Sequence, residues 1–141
     1  MALQAEREAI VKRIMAKWNQ ELDGPFFMDN FQGPVAPSGQ FTEVNILTGE
    51  SVQRNVGGHG NTCIRTHSMV QFTIYSPQNI GVDNLDRTCD RVRRIFLHYS
   101  VKIDENGGKL VFKVPTFFNR GKGSGRFTRV ASCPFYRDEF V

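Results

Sequence analysis

The stretch from Thr62 to Tyr99 limits most strictly what this chain can fold into. From Ile64 to Tyr75 the side chains alternate. Ile64, Val70, Phe72 and Ile74 share one face with Thr66 and Ser68, while Arg65, His67, Gln71 and Thr73 share the other. Ser76-Pro77 ends this strand, because proline has no N–H for the ladder and biases the residue before it away from the helical region. After Gly81 the period changes. Val82, Leu85, Cys89, Val92, Phe96 and Tyr99 recur at spacings of three and four, which makes one apolar stripe on a helix. Burying six such side chains is worth on the order of 10 kcal/mol before entropy is subtracted. A long strand with a helix folded back on it is therefore the expected centre.

The 141 residues suit one domain spanning 1–141 with a single core. The net charge of +4 is mild and does not by itself demand nucleic acid. Cys63, Cys89 and Cys133 are too few and too far apart for a disulfide framework, so reduced thiols in or near the core are expected. No signal-like segment and no apolar run near the membrane-spanning length occurs, so neither secretion nor a membrane is expected.

Ahead of the central unit, residues 3 to 22 carry a helical face of Ile10, Val11, Ile14, Met15, Trp18 and Leu22, stopped at Gly24-Pro25. Residues 24–40 hold too many prolines and glycines for regular structure, yet Phe26, Phe27, Met28 and Phe31 are too apolar for a solvated linker. An arm that shelters against a neighbour is expected there. Phe41 to Leu47 and Ser51 to Val56 read as a hairpin turning at Thr48-Gly49, followed by a glycine loop, Gly57 to Asn61. After the central unit come a strand at Leu110–Val114, a basic loop from Asn119 to Arg126, and a last strand at Phe127–Tyr136. The expected fold is α+β: a mixed, mostly antiparallel sheet with two helices packed on it, in the order αβββαββ.

Catalytic and ligand-binding patterns do not stand out. His59, Cys63 and His67 are spaced four apart, but the surrounding glycines oppose a helix, and on a strand successive members lie about 13 Å apart, too far for one ion. The glycines at 121, 123 and 125 fit neither phosphate-binding fingerprint and lead into a strand, where such loops lead into a helix. No metal, no cofactor and no enzymatic activity are expected. On the second helix, Arg87, Arg91 and Arg94 read as a solvated face paired with Asp83, Asp86 and Asp90. From Arg120 to Arg137 there are five basic residues and no acidic one, which suits docking on an acidic surface or a phosphate backbone.

The ordered set of segments resembles the tail terminator (tail completion, minor tail protein U-like) family of long-tailed bacteriophages. The residues that carry the resemblance are Phe27-Met28-Asp29-Asn30-Phe31 with Pro34 and Pro37-Ser38-Gly39, Val44-Asn45-Ile46, and Phe72 through Pro77. The Asp83–Phe96 helix and the strand from Gly125-Arg126 to Pro134-Phe135 complete it. It covers almost the whole chain. It implies a structural virion protein that assembles as a homo-oligomer, a hexameric ring, on the finished tail tube. Such a ring stops tube polymerisation and offers a surface to the head connector or stopper protein. DNA would pass through its lumen without specific binding. The implied location is the head-proximal end of the virion tail, after assembly in the host cytoplasm. Phe26, Phe27 and Phe31 are the candidates for subunit packing. Arg54, His59, Arg120, Lys122 and Arg126 are the candidates for contact with tube or connector. A head–tail joining or tail tube protein of similar fold is one alternative, and a small basic nucleic-acid-binding module is another.

Overall fold

The alternating stretch centred on Phe72 forms a fifteen-residue strand in the computed structural model. The structure describes residues 2–28, 39–55, 62–77, 83–103, 108–123 and 126–140. In chain order the elements are α1 (Ala2–Lys17), α2 (Gln20–Asp23), β1 (Phe26–Met28), β2 (Phe41–Gln53), β3 (Cys63–Pro77), α3 (Asp83–Phe96), β4 (Ser100–Lys102), β5 (Lys109–Phe112), β6 (Thr116–Gly123) and β7 (Arg126–Phe140). The class is mixed α+β, with a mostly antiparallel sheet that curls and three helices.

The sheet runs β1-β2-β3-β7-β5-β4, and β6 also pairs with β7. β3 lies between β2 and β7 and is antiparallel to both. The far edge of β7 is shared. β6 pairs with it up to Ser132 and β5 from Phe135 onward, with Pro134 in the gap between them. Among the described strands, only β1 runs parallel to its neighbour, β2.

The two-residue period decides which face is covered. Thr66, Ser68, Val70, Phe72, Ile74 and Ser76 of β3 are buried. In register beside them, Val44 of β2 and Cys133 and Phe135 of β7 enter the same core, with Leu110 and Phe112 of β5. The helices close it from above with Ile10 and Ile14 of α1 and Leu85, Val92, Ile95 and Phe96 of α3. The stripe read on residues 85–96 is therefore the buried one. Tyr99 packs against the core just past the helix, and Val82 lies outside the described residues.

Aromatic rings run through this core in near-continuous contact. Phe26 meets Trp18 edge-on at 5.6 Å between centroids, and Trp18 stacks over Phe72 at 6.4 Å. Phe72 meets Phe96 at 6.0 Å, Phe96 stacks on Phe112 at 4.3 Å, and Phe112 meets Phe135 at 4.9 Å. Pairs of this kind add about 0.5–1.5 kcal/mol beyond the area they bury.

Four expectations are corrected. The first helix does not run to residue 22. Trp18 N–H closes the last turn of α1 on Ile14, and Asn19 then caps a separate helix, its Oδ1 accepting from the N–H groups of Glu21 at 3.1 Å and Leu22 at 3.2 Å. Asparagine gains more at a cap than inside a helix. Of the face assigned to that helix, Ile10 and Ile14 are buried, whereas Met15 is 67% exposed and Leu22 also points outward. At about 100° per residue, Met15 stands some 140° round from Ile10.

The expected hairpin at Thr48-Gly49 is one strand with a bulge. Thr48 pairs with Ser68 and Ser51 with Thr66, so Gly49 and Glu50 together oppose His67. A Cβ on Gly49 would stand 2.3 Å from the His67 carbonyl oxygen. The glycine therefore serves a close backbone approach, and no turn forms there. The basic stretch after Phe118 continues as β6 to Gly123 and returns as β7, so the end of the chain holds four strands where two were expected. The arm at 24–40 begins with ordered structure. Gly24 takes a φ of 77° against the Gln40 carbonyl, and 26–28 add an edge strand, while 29–38 lie outside the described residues.

Replacing Phe72 with alanine should cost about 3–5 kcal/mol in urea unfolding, because three elements meet at its ring. Gly49→Ala should cost about 1–3 kcal/mol by crowding the bulge. Gly39→Ala should be nearly neutral, since a Cβ there meets nothing within 4 Å.

Candidate functional site

Charged groups that looked like surface decoration in the sequence are largely spent on holding elements together. Asp23, fully buried at the end of α2, pairs with Arg91 of α3 and accepts from Thr88 Oγ1 at 2.9 Å. Gln40 donates to the Asp23 carbonyl at 3.1 Å and to Thr88 Oγ1 at 2.7 Å, and Asn84 donates to Gln40 at 3.1 Å. This polar clasp ties α2, the start of β2 and α3. A second buried pair, Glu6 Oε1 with Arg137 Nη1 at 2.8 Å, pins α1 to β7. Burial pushes the Glu6 carboxyl above its ordinary value, with Arg137 partly opposing the shift. On the other face of the sheet, Arg65 grips Asp138 through two bonds of 2.7 and 2.9 Å, and its guanidinium lies 3.8 Å from the Tyr136 ring centre.

The α3 helix is thus a two-sided element. Its near side faces α1 and α2, where Arg13 donates to the Ile95 carbonyl at 2.8 Å and Arg91 meets Asp23. Its far side lines an open cleft of about 480 Å³ against β6 and β7, walled by Asp86, Cys89, Asp90, Arg93, Phe117, Phe118, Asn119 and Arg129. Arg129 is the floor. It pairs with Asp86, donates to Asn119 Oδ1 at 2.8 Å and approaches Cys89 Sγ at 3.7 Å. Arg93 lies over Phe117 at 5.1 Å. Burial raises the Cys89 thiol above its usual range despite Arg129, so the sulfur stays protonated and is a poor nucleophile. Phe117 gives the cleft an apolar wall, and Asp86, Asp90, Arg93 and Arg129 place charges of both signs around it. Phe118, 52% exposed, pairs with Val130 and so turns to the opposite face of the sheet from Phe117 and Asn119.

The expected site residues separate into three places. Phe26 is half-buried within its own chain against Trp18 and the core, and Phe27, on the opposite face, packs edge-on with Phe41 at 6.2 Å between centroids. Arg54 is exposed just past β2, where its N–H bonds the Cys63 carbonyl at 2.8 Å. The backbone places Arg120 at an irregularity in β6, Lys122 opposite Phe127, and Arg126 opposite Gly123 and Pro77. Arg54 therefore sits at one end of β3 and the 120–126 hairpin at the other, roughly 45 Å apart along the strand. Phe31 and His59 lie outside the described residues. Of the five basic residues counted from Arg120 onward, Arg129 and Arg137 are taken up by Asp86 and Glu6. The helix arginines differ likewise from the expectation: Arg91 and Asp86 pair with other elements rather than with each other's turn.

The ion pairs themselves escape a reading of the sequence, since their partners stand as many as 131 positions apart. One signal for Glu6 was present: it stands four residues before Ile10 and eight before Ile14, on the apolar face. Among the described residues no group of three or more His, Cys, Asp or Glu could hold a metal ion, and no helix is long and apolar enough to cross a membrane.

Asp23→Ala should cost about 3 kcal/mol in urea unfolding, because it strands Thr88 and Arg91, whereas Asp86→Ala should cost under about 1 kcal/mol at its exposed position. The Cys133 thiol, pushed up to about 12 by burial, should resist an alkylating reagent at pH 8 in the folded protein and react on unfolding, while half-buried Cys63 reacts first.

No family model and no curated protein sequence matches this chain. Several solved structures are similar to it, and one of them matches over almost the full length, with a TM-score of 0.64 and 10% identical residues, covering 95% of this chain and 96% of that one. The name that structure carries states no function, and at such identity the likeness concerns the fold alone.

Proposed function

We propose that this chain is a structural virion protein, a tail terminator of long-tailed bacteriophages that closes into a ring on the finished tail tube, stops its growth and offers a surface for head attachment. In this reading the protein is not an enzyme and needs no cofactor. The observation that supports it best is where exposed apolar side chains and basic backbone positions fall on the domain. Exposed apolar side chains stand on different sides of the domain, Met15 on α1 and Phe118 with Val114 around β6, besides Leu47 and Val52 on the outer half of β2 and Leu3 and Leu22 near the helix ends. Cationic residues lie at the two ends of the long strands, Arg54 at one and Arg120, Lys122 and Arg126 at the other.

A ring stacked on a tube requires that division. Side-to-side contacts hold the circle, and they are heterologous, joining two different patches of the same chain. End surfaces meet the tube on one side and the connector on the other. One end copies the stacking surface of the tube and the other does not, so further tube subunits find no site. Phe26, Phe27 and Phe31 belong to the lateral packing in this reading, and Arg54, His59 and the 120–126 hairpin to the ends. The ring would be hexameric by family resemblance, and DNA would cross its lumen without specific contacts. A head–tail joining or tube protein of similar fold would use the same two sides.

Analytical ultracentrifugation and electron microscopy of the purified protein, across the concentrations it tolerates, test this reading. Ring-shaped particles of about six copies are expected. A monomer at every concentration, or tight DNA binding that weakens steeply with salt, would contradict it.

A further inference from the structure

The sheet has two long edges along which no described strand of the chain lies. β2 is thirteen residues long, but β1 covers only Thr42–Val44 of its outer edge. From Leu47 to Gln53 every side chain is exposed, on both faces of the sheet, although the strand is paired with β3. At the other limit of the sheet, the eight residues of β6 pair with β7 on one side, and no described strand lies on the other. An open edge presents a row of backbone N–H and C=O groups, which a further strand completes. Neither stretch contains a proline to block such pairing.

We infer that β6 of one copy adds to the open half of β2 in the next copy, so that the sheet continues from chain to chain around the ring. The inference rests on the ring reading and names the contact that would hold it. Strand direction permits this junction. β2, β3, β7 and β6 alternate, so a repeated sheet sets β6 antiparallel to the next β2 and keeps the helices of all copies on one face. The remaining edge, β4, runs parallel to β2 and has only three residues. Charge selects the same pair of edges. Phe41–Gln53 carries Glu43 and Glu50 and no basic residue, while Thr116–Gly123 carries Arg120 and Lys122 and no acidic one. Joining β2 to β2, or β6 to β6, would bring like charges together and would stop at a pair. The open half of β2 lies beside Ile64–Met69, whereas β6 lies in line with Gln71–Pro77. Joined copies are therefore stepped along their strands, and the circle closes with strands inclined to its axis, as in any closed sheet.

Proline tests the backbone pairing. Arg54 N–H bonds the Cys63 carbonyl, so alternation turns the Gln53 N–H away from β3. Gln53→Pro should leave the monomer folded by circular dichroism and raise the concentration for half-assembly about tenfold or more. Charge reversal gives a second test. A Glu50→Lys chain and an Arg120→Glu/Lys122→Glu chain should each assemble poorly alone, and a one-to-one mixture should form rings, because every junction then joins opposite signs. Rings that form from Gln53→Pro at wild-type concentrations, or reversed chains that gain nothing on mixing, would overturn this junction while leaving the ring reading intact. A wild-type chain that stays monomeric would overturn both.

Discussion

The ring of Phe72 is where the fold is tied. It stands near the middle of β3, under Trp18 just past α1 and beside Phe96 of α3, and is fully buried. A fifteen-residue strand with two long neighbours exposes a broad apolar face, and no single helix of this length could cover it. Two helices can, provided that both rest on one central side chain. The aromatic run then carries the same core from edge strand β1 across to β5 and β7.

That arrangement explains why so much charge lies inside. Two helices side by side on a curved sheet have ends and seams that apolar groups alone do not hold in register. The Asp23–Arg91–Thr88–Gln40 clasp closes the seam where α2 meets α3, and Glu6–Arg137 fixes the start of α1 above β7. Buried pairs contribute little net stability, yet breaking one is expensive, so they act as locators. With its near side committed in this way, α3 turns its other side to the cleft, and α1 turns its outer flank to solvent. The lateral surfaces follow from how the core is closed.

The centre of the fold was legible because periodicity is local. Alternation over Ile64–Tyr75 and three–four spacing over Leu85–Phe96 assigned both elements and their buried faces. What failed were features whose meaning depends on a distant partner. Thr48-Gly49 has the composition of a turn, and only β3 alongside makes it a bulge. Asn19 within an apolar helical pattern looked tolerable until α2 needed a cap. Met15 and Ile14 are both apolar neighbours in the sequence, and only the sheet's position decides which is covered. Likewise Arg129 and Arg137 looked like free cations because Asp86 and Glu6 are remote in sequence. The cleft was illegible for the same reason, since its walls come from residues 86–93 and 117–129.

The domain closes its core around Phe72, and in the proposed ring its outer surfaces meet other copies. The outer half of β2, residues 47–53, is exposed throughout although it is paired with β3, and Glu8, Lys12 and Met15 on the flank of α1 are exposed as well. Amide hydrogen exchange followed from dilute to concentrated protein separates the two parts most directly. Residues 68–75 of β3 should exchange slowest at every concentration, while residues 47–53 of β2 and the open edge of β6 gain protection only as the protein assembles. Full protection of residues 47–53 in dilute monomer, or faster exchange in the middle of β3 than in α1, would contradict this division.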